Sequence, residues 1–246
     1  MKIAIISDIH ANFPALEETL KSIQENDVDV IYCLGDLVGY NIWPNAVISE
    51  IKKNKIPTIA GNHDVKAVEL HKKKSFETSS SIAYQMIAKE NVDFLETLPA
   101  NIKLEFNNMN MILVHGSPYS NTEYLHEDRE ERDIINMHED TKTNIIVCGH
   151  THIPYHRVIK NQNNSFYHVI NAGSVGKPKD GNPKSCYALI TIDKNANGYD
   201  KDDVKVKFIR VKYDIQKVTE AILNSDLPEV YASMLKRAYW FVWKKE

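Results

Sequence analysis

Short apolar runs alternate with amphipathic segments over the first sixty residues. Ile3–Ser7 and Val28–Leu34 are runs rich in β-branched residues, typical of strands that are buried on both faces. Between them, apolar residues recur at helical spacing through about Glu25, and a second amphipathic helix is predicted from Pro44. Pro57–Ala60 predicts a short third strand. This part of the chain therefore predicts a β-α-β-α-β unit.

The remainder changes from helical to mainly strand-like patterns. Residues 65–100 are mainly helical, most clearly at Ser79–Met86 and Val92–Leu98, and a further helix is predicted over 127–139. The tail from Asp214 is also helical in pattern. Further strands are predicted at Leu104–Phe106, Met109–Val114, Asn144–Cys148, Val158–Ile159, Phe166–Ile170, Tyr187–Ile192 and Val204–Tyr213, the first two joined by a turn at Asn107–Asn108.

Strands in both halves, with helices beside them, predict an α/β fold of two sheets packed face to face with helices outside. The sequence contains no internal repeat and no low-complexity linker. The polar motifs between residues 8 and 152 depend on one another, so we predict a single domain over 1–246. Cap-like segments are expected at about 65–100 and 119–140.

Composition excludes several classes of function. The net charge of −3 and the pI of about 6.4 provide no basic field, which makes a nucleic-acid partner unlikely and disfavours a DNA nuclease. The Lys72–Lys74 run is expected to be a solvated face. No apolar run approaches the ~18 residues of a membrane span, and the chain begins directly with a predicted strand. Three widely spaced cysteines, Cys33, Cys148 and Cys186, predict reduced thiols in a cytoplasmic protein.

Five short polar clusters lie where apolar runs end, and they carry the candidate chemistry. The carboxyl ends of strands gather at one edge of an α/β sheet, so these clusters are expected to meet there. Imidazole and oxygen ligands suit Mn²⁺, Fe, Zn²⁺ or Co²⁺, and the set is large enough for two ions. The clusters are Asp8-Ile9-His10, Gly35-Asp36, Gly61-Asn62-His63-Asp64, His115-Gly116 and Gly149-His150-Thr151-His152.

Each cluster alone is weak evidence, because Asp-x-His and Gly-Asp are common turn sequences and only Gly-His-Thr-His is more specific. In combination they predict two divalent cations about 3.5–4 Å apart with a water or hydroxide between them. Asp36 has two carboxylate oxygens that can bridge the cations. Two metals sharing ligands point to hydrolysis at phosphorus.

In this order, the motifs resemble the calcineurin-like metallophosphoesterase superfamily, whose signature is D-x-H, G-D, G-N-H-[DE], H and G-H-x-H. Asn171–Gly176 also resembles a segment of its compact bacterial and archaeal members. The resemblance implies a four-layer αββα sandwich of two mixed sheets flanked by helices. It implies a first metal on Asp8, His10 and His152, a second on Asn62, His115 and His150, and Asp36 bridging both.

The same resemblance places His63 beside the metals, where it would steady the transition state or protonate the leaving oxygen. For Asp64, two roles stay open: it orients the His63 imidazole, or it caps a turn.

The leading functional hypothesis is a dinuclear phosphoesterase, with Mn or Fe as the expected metals and Zn, Co or Ni as alternatives, in which a metal-bridging hydroxide attacks phosphorus directly. The substrate is expected to be a small phosphoester or a nucleotide. A dinucleoside polyphosphate hydrolase of the diadenosine tetraphosphate type is the alternative, since Tyr40 and Trp43 could stack on an adenine. A protein-binding scaffold with a decayed site is the alternative from another class, but no motif position is lost.

Other candidates have simpler explanations. Asn12 is expected to cap a helix rather than face the site. His126 and His138 are expected to be exposed, and Lys177 and Lys179 to lie in a solvated turn rather than contact phosphate. The remaining candidates are His156 and His168, expected to be structural, and the aromatic tail Tyr231, Tyr239, Trp240, Phe241 and Trp243, either a dimer surface or packed on its own sheet.

Overall fold

The computed structural model describes residues 1–78, 81–106 and 109–239. Within these ranges the strands are β1 (Lys2–Ile6), β2 (Val30–Cys33), β3 (Asn101–Phe106), β4 (Met109–Val114), β5 (Ile145–Cys148), β6 (Tyr155–Lys160), β7 (Phe166–Asn171), β8 (Ser185–Ile192) and β9 (Val204–Val211). The helices are α1 (Phe13–Gln24), α2 (Pro44–Lys53), α3 (Asn62–Lys73), α4 (Ile82–Gln85), α5 (Lys89–Glu96), α6 (Glu131–Thr141), α7 (Ile215–Leu223) and α8 (Val230–Arg237).

The strands form two mixed sheets. One has the order β2-β1-β8-β9, in which β1 and β2 are parallel and the other neighbours are antiparallel. The other has the order β3-β4-β5-β7-β6, in which β4, β5 and β7 are parallel and the two edge strands run antiparallel to them. Each sheet therefore contains parallel strands whose carboxyl ends share one edge.

Alternation along β1 explains how the layers pack. Ile3 and Ile5 belong to an apolar cluster between the sheets, which also includes Leu113 of β4 and Val147 of β5. Ala4, next to Ile3 on the strand, belongs instead to a cluster formed with the helices. Successive strand residues point to opposite faces, so β1 is buried on both sides, as its continuous apolar sequence predicts.

Helices cover the outer faces of both sheets. Residues of α1, α2, α3 and α5 pack in the cluster on the β1 side, and this cluster includes Val92 and Leu95 from the segment predicted to be cap-like. On the other side, Ile134 and Met137 of α6 pack against strand residues such as Ile146. The predicted four-layer αββα sandwich is confirmed. No helix in the described ranges is both long and apolar enough to span a bilayer.

The predicted strand at Pro57–Ala60 is wrong: this segment makes only one isolated parallel bridge, between Cys33 and Thr58. Pro57 has no N–H to donate to a neighbouring strand. The amide of Ala60 donates to the Pro99 carbonyl, 2.8 Å away, so the chain leaves β2 after a short contact. Predictions involving Ser79, Asn107–Asn108, Trp240, Phe241 and Trp243 concern residues outside the described ranges.

His138 is not exposed as predicted: it is 1% exposed on the inner face of α6. Its Nδ1 lies 2.9 Å from the Thr143 carbonyl, and its ring stacks on Tyr167 with centroids 4.3 Å apart. Burial lowers the pKa of His138 to about 4, because an imidazolium would lose its hydration there. His126 is exposed, as predicted.

The pair His156 and His168 lies on β6 and β7 with facing ring nitrogens 3.0 Å apart. Burial lowers the pKa of both.

Candidate metal centre

The predicted ligands meet at one edge of the sandwich. Asp8 and His10 follow β1, Asp36 follows β2, and Asn62 begins α3, all on the side of the first sheet. The second sheet contributes His115 after β4, with His150 and His152 after β5. The site therefore lies where the carboxyl ends of parallel strands from both sheets face each other, as expected for an α/β fold.

One group of facing atoms consists of Asp8, His10 and His152. The Asp8 Oδ1 atom lies 3.2 Å from His152 Nε2 and 3.8 Å from His10 Nε2. The two Nε2 atoms are 3.2 Å apart. All three side chains are buried.

A second group consists of Asp36, His115 and His150, whose candidate ligand atoms lie within 4.8 Å of one another. The Asp36 Oδ2 atom lies 3.4 Å from His115 Nε2 and 3.7 Å from His10 Nε2. The Asn62 Oδ1 atom is 3.0 Å from His115 Nε2. Asp36 is thus adjacent to both groups, which is the position expected of a bridging ligand.

The other ring nitrogen of three imidazoles faces a backbone carbonyl. Nδ1 of His10 lies 3.0 Å from Val38 O, and Nδ1 of His115 lies 2.8 Å from Leu34 O. Nδ1 of His152 lies 2.5 Å from Lys177 O. A carbonyl only accepts hydrogen bonds, so each Nδ1 carries the proton, and in a neutral ring Nε2 keeps its lone pair. Such contacts orient metal-binding histidines in known sites.

Each aspartate has one oxygen held by the protein and another facing the imidazoles. Asp8 Oδ2 accepts from Ser7 Oγ at 2.7 Å and from the His150 amide at 2.9 Å. Asp8 Oδ1 is buried and makes no hydrogen bond of good geometry within the described ranges. Asp36 Oδ1 accepts from the His63 amide at 2.8 Å, which leaves Oδ2 toward His10 and His115.

A left-handed backbone conformation is common among the predicted ligands. Five of the seven predicted ligands have left-handed φ values between 48° and 64°: Asp8, His10, Asp36, His150 and His152. Non-glycine residues rarely adopt this conformation, which costs about 1–3 kcal/mol each and clusters at functional sites. The surrounding structure therefore holds these side chains in positions that an unconstrained chain would avoid.

Two glycines allow the close approach that the site needs. A Cβ at Gly149 would lie 2.7 Å from Asp8 Oδ2 and overlap Ser7 Oγ. A Cβ at Gly61 would overlap Asp36 Oδ1. Only glycine fits at either position without displacing a candidate ligand.

Charge and burial leave most of these imidazoles neutral. Burial lowers the pKa of His152 to about 4 and also lowers the pKa of His10, His63 and His150. Burial would lower the pKa of His115 too, but the Asp36 carboxylate raises it to about 9. Burial would raise the pKa of Asp8, but His152, with further contributions from His115 and His10, holds it well below its usual value.

This donor set fits divalent cations at two adjacent positions. Buried lone pairs that face one another repel unless a cation or proton lies between them. The first position would be held by Asp8, His10 and His152, and the second by Asn62, His115 and His150, with Asp36 between them. Mixed imidazole and carboxylate ligation is typical of sites for Mn, Fe, Zn or Co.

His63 lies beside these positions. Its ring is 4.9 Å from the rings of both His10 and Tyr40, measured between centroids. Its Nδ1 lies 2.5 Å from the Tyr84 hydroxyl. Tyr84 lies in α4. It was not identified from the sequence, because no local motif links it to His63.

Of the two roles left open for Asp64, its hydrogen bonds favour the capping role over the orientation of His63. The Asp64 carboxylate accepts hydrogen bonds from the amides of Asp36 at 2.8 Å, Leu37 at 2.9 Å and Gly61 at 3.0 Å. It thereby ties the loop that carries Asp36 to the start of α3, the capping role that was weighed as the alternative. Burial, with the nearby Asp36 charge, raises the pKa of Asp64 to about 7 despite these donors.

Lys177 and Lys179 are not in a solvated turn, contrary to prediction. Lys177 is 1% exposed, and its Nζ lies 4.2 Å from the centroid of the Tyr40 ring. Lys179 is partly buried, and its amide donates to the His152 carbonyl at 3.3 Å. Burial lowers the pKa of Lys177 to about 7 and that of Lys179 to about 8, while Asp8 favours the charged form of both.

Aromatic side chains surround the site. Tyr40 is half-buried between His10, His63 and Tyr231 of α8, so it packs in the wall of the site. Tyr231 therefore packs against its own chain. This agrees with one of the two expectations for the tail, packing on its own sheet, rather than with a dimer surface. Tyr124 stacks on His150 with centroids 4.2 Å apart, a contact that the sequence did not indicate.

Two further candidates are explained by packing. Trp43 packs against the α7–α8 cluster. Asn12 caps α1, as expected, by accepting from the Ala15 amide at 3.2 Å.

Comparisons with known proteins agree with this arrangement. Residues 1–195 match the model of the calcineurin-like phosphoesterase superfamily domain. The chain is 33% identical over 245 residues to an uncharacterized protein, MJ0912, of Methanocaldococcus jannaschii, covering 92% of this chain and 94% of that protein. It is 27% identical over 197 residues to the phosphodiesterase YfcE of Escherichia coli, covering 78% and 89% of the two chains.

Among solved structures, a metallophosphoesterase from Sphaerobacter thermophilus superposes with a TM-score of 0.76 at 28% identity. The superposition covers 97% of this chain and 99% of that one. The similarity extends beyond residue 195, where the match to the family model ends, and includes β9, α7 and α8.

Proposed function

The chain belongs to the calcineurin-like phosphoesterase superfamily as a metal-dependent phosphoester hydrolase, and we propose that it is a dinuclear phosphodiesterase. The observation that carries the proposal is the set of facing imidazole nitrogens and carboxylate oxygens: Nε2 of His10 and His152 beside Asp8 Oδ1, and Nε2 of His115 beside Asp36 Oδ2. Mn or Fe is the metal that we propose.

Bound divalent cations would lower the pKa of a coordinated water and neutralise phosphate oxygens. The protein's own contribution is to hold the ligands rigidly, since burial, the Nδ1–carbonyl contacts and the Asp64 clamp leave them little freedom. A preorganised site needs little reorganisation when charge develops on the phosphate.

His63 is proposed to donate a hydrogen bond to the leaving oxygen, since its lowered pKa leaves the ring neutral. Burial and nearby negative charge raise the pKa of Tyr84, so its hydroxyl keeps its proton and can donate to His63 Nδ1. The His63 Nε2–H is then the group available as a donor. Tyr84 acts through His63 and is therefore a positioning residue.

A dinucleoside polyphosphate is a second candidate substrate, favoured by Lys177 and Lys179. Lys177 is buried and Lys179 is partly buried on the side of the first metal position, and both interact electrostatically with Asp8. Two cations there would accommodate phosphate groups beyond the one that reacts. We propose a cytoplasmic location, which the three buried free thiols support.

The test is a hydrolysis panel with Mn²⁺ restored after chelation, using bis-p-nitrophenyl phosphate, p-nitrophenyl phosphate and diadenosine tetraphosphate. We expect metal-dependent turnover, fastest on the diester, that is lost in Asp36→Asn and kept in the surface control Asp93→Asn. Turnover that is the same with and without Mn²⁺, or that is kept in Asp36→Asn, would contradict the dinuclear proposal. Preferential turnover of diadenosine tetraphosphate would select the second candidate.

A further inference from the structure

A groove with a volume of about 290 Å³ opens beside the second metal position. It lies between the start of α3, the segment before β3 and the loop after β4. The residues that line it include Val65, Leu98, Val114, His115, Ser117 and Tyr119. We call it the His115 groove. Since His115 is a proposed metal ligand, a phosphate held at the metals lies next to this groove.

Apart from His115 itself, the lining of the His115 groove is uncharged. Among the described residues that form it, none is lysine, arginine, aspartate or glutamate. Val114 forms part of its wall with 3% exposure, while Val65 and Tyr119 are 39% and 55% exposed near its opening. Ser117, Asn101 and Asn121 add polar atoms at the same opening. An apolar wall with a few polar groups suits a neutral organic group and disfavours a second phosphate.

The groove lies apart from His63, the residue proposed to donate a hydrogen bond to the leaving oxygen. His63 is in contact with Tyr40 and Tyr84, and none of these three residues lines the groove. The leaving oxygen is expected at His63, so the groove is not the site of the leaving group. It is placed for the other ester group of a diester, the one that stays on the phosphorus.

We propose that the His115 groove binds the retained, uncharged ester group of a phosphodiester substrate, a group of about the size of one aryl or nucleoside unit. The inference rests on the proposed phosphodiesterase function and deepens it. The volume is at the lower end of the ~300–1,000 Å³ of small-molecule sites, which is enough for one such unit. If the retained ester group binds there, Val65 and Tyr119 are specificity-determining residues.

The test compares two substrates that share a leaving group, bis-p-nitrophenyl phosphate and methyl p-nitrophenyl phosphate, with Mn²⁺ present. Val65→Trp narrows the opening of the groove from α3. Ala100→Trp narrows it from an exposed position before β3 and serves as the second variant. Val158→Trp is the matched control, because Val158 is 38% exposed on β6 and far from the groove lining.

We expect each groove variant to lower kcat/KM for the bis compound by about tenfold relative to the methyl compound, the scale of a lost apolar contact. The control should leave this ratio unchanged. Turnover of the methyl compound shows that each variant is folded and holds metal.

Two outcomes would overturn the proposal. An unchanged ratio of the two kcat/KM values, with turnover either intact or equally reduced on both substrates, would show that the retained ester group does not bind in the groove, and would leave the phosphodiesterase function in place. Absence of metal-dependent turnover of either substrate by the unmodified protein would refute the proposed function and this inference with it.

Discussion

Replacing Asp64 with asparagine tests whether this residue holds the loop that carries Asp36 in place or orients the His63 imidazole. The Asp64 carboxylate accepts three backbone hydrogen bonds, two at Oδ2 from Asp36 and Gly61 and one at Oδ1 from Leu37. Asparagine has the same shape but only one accepting oxygen. At least one of the three buried amides would then face an NH₂ group that cannot accept.

The expected cost follows from these bonds. A buried N–H left without an acceptor costs about 1–3 kcal/mol. Above pH 7, where Asp64 is mainly ionised, the remaining bonds also lose the advantage of a charged acceptor. We therefore expect Asp64→Asn to lower the free energy of unfolding by about 3 kcal/mol. Because Asp36 sits in the clamped loop, metal affinity should fall as well, as it does when other supporting contacts of metal ligands are removed.

Urea denaturation and metal content after dialysis measure the two effects. Asp93→Asn is the matched control, since Asp93 is exposed and pairs with Lys89 on α5, a contact worth at most about 0.5 kcal/mol. Wild-type stability and metal content together with a reduced kcat would refute the clamp. That result would return Asp64 to the role of orienting His63.

Two further predictions concern Tyr84 and His138. Tyr84→Phe should lower kcat about five- to tenfold, the worth of one hydrogen bond, with metal content unchanged; the exposed Tyr199→Phe is the control, and an unchanged kcat would contradict a positioning role. His138 has a pKa of about 4 when folded and 6.5 when unfolded, so the unfolded state binds more protons and stability falls as pH drops below about 6.5. Between pH 7.5 and pH 5, the free energy of unfolding should fall by about 2 kcal/mol less in His138→Gln than in the wild type. An equal fall in His138→Gln and in the exposed control His126→Gln would contradict this.

The sequence was informative about the ligands because each one follows an apolar run directly. The order of strands, and hence the meeting of two sheets, depends on long-range packing, such as that of Ile5 and Leu113 in one apolar cluster, which no local pattern specifies. Pro57–Ala60 shows the converse: its composition is strand-like, but the carbonyl of distant Pro99 takes the Ala60 amide. Tertiary hydrogen bonding overrides local propensity there.

Burial was the property that local sequence predicted least well. Lys177, Lys179 and His138 lie in polar stretches, for which exposure is the ordinary expectation. In the fold, the Tyr40 ring covers the Lys177 ammonium and Tyr167 covers the His138 ring. Asp64 is a similar case, because its partners are amides made available by the turn after β2.

Metal stoichiometry tests the central claim most directly. The protein would be stripped with chelator, reconstituted with Mn²⁺, passed through a desalting column and assayed by elemental analysis. The account predicts two metal ions per wild-type chain, one per chain in His115→Ala, and two in the exposed-histidine control His126→Ala. One ion or none in the wild type, or two ions retained in His115→Ala, would contradict a dinuclear centre built on these residues.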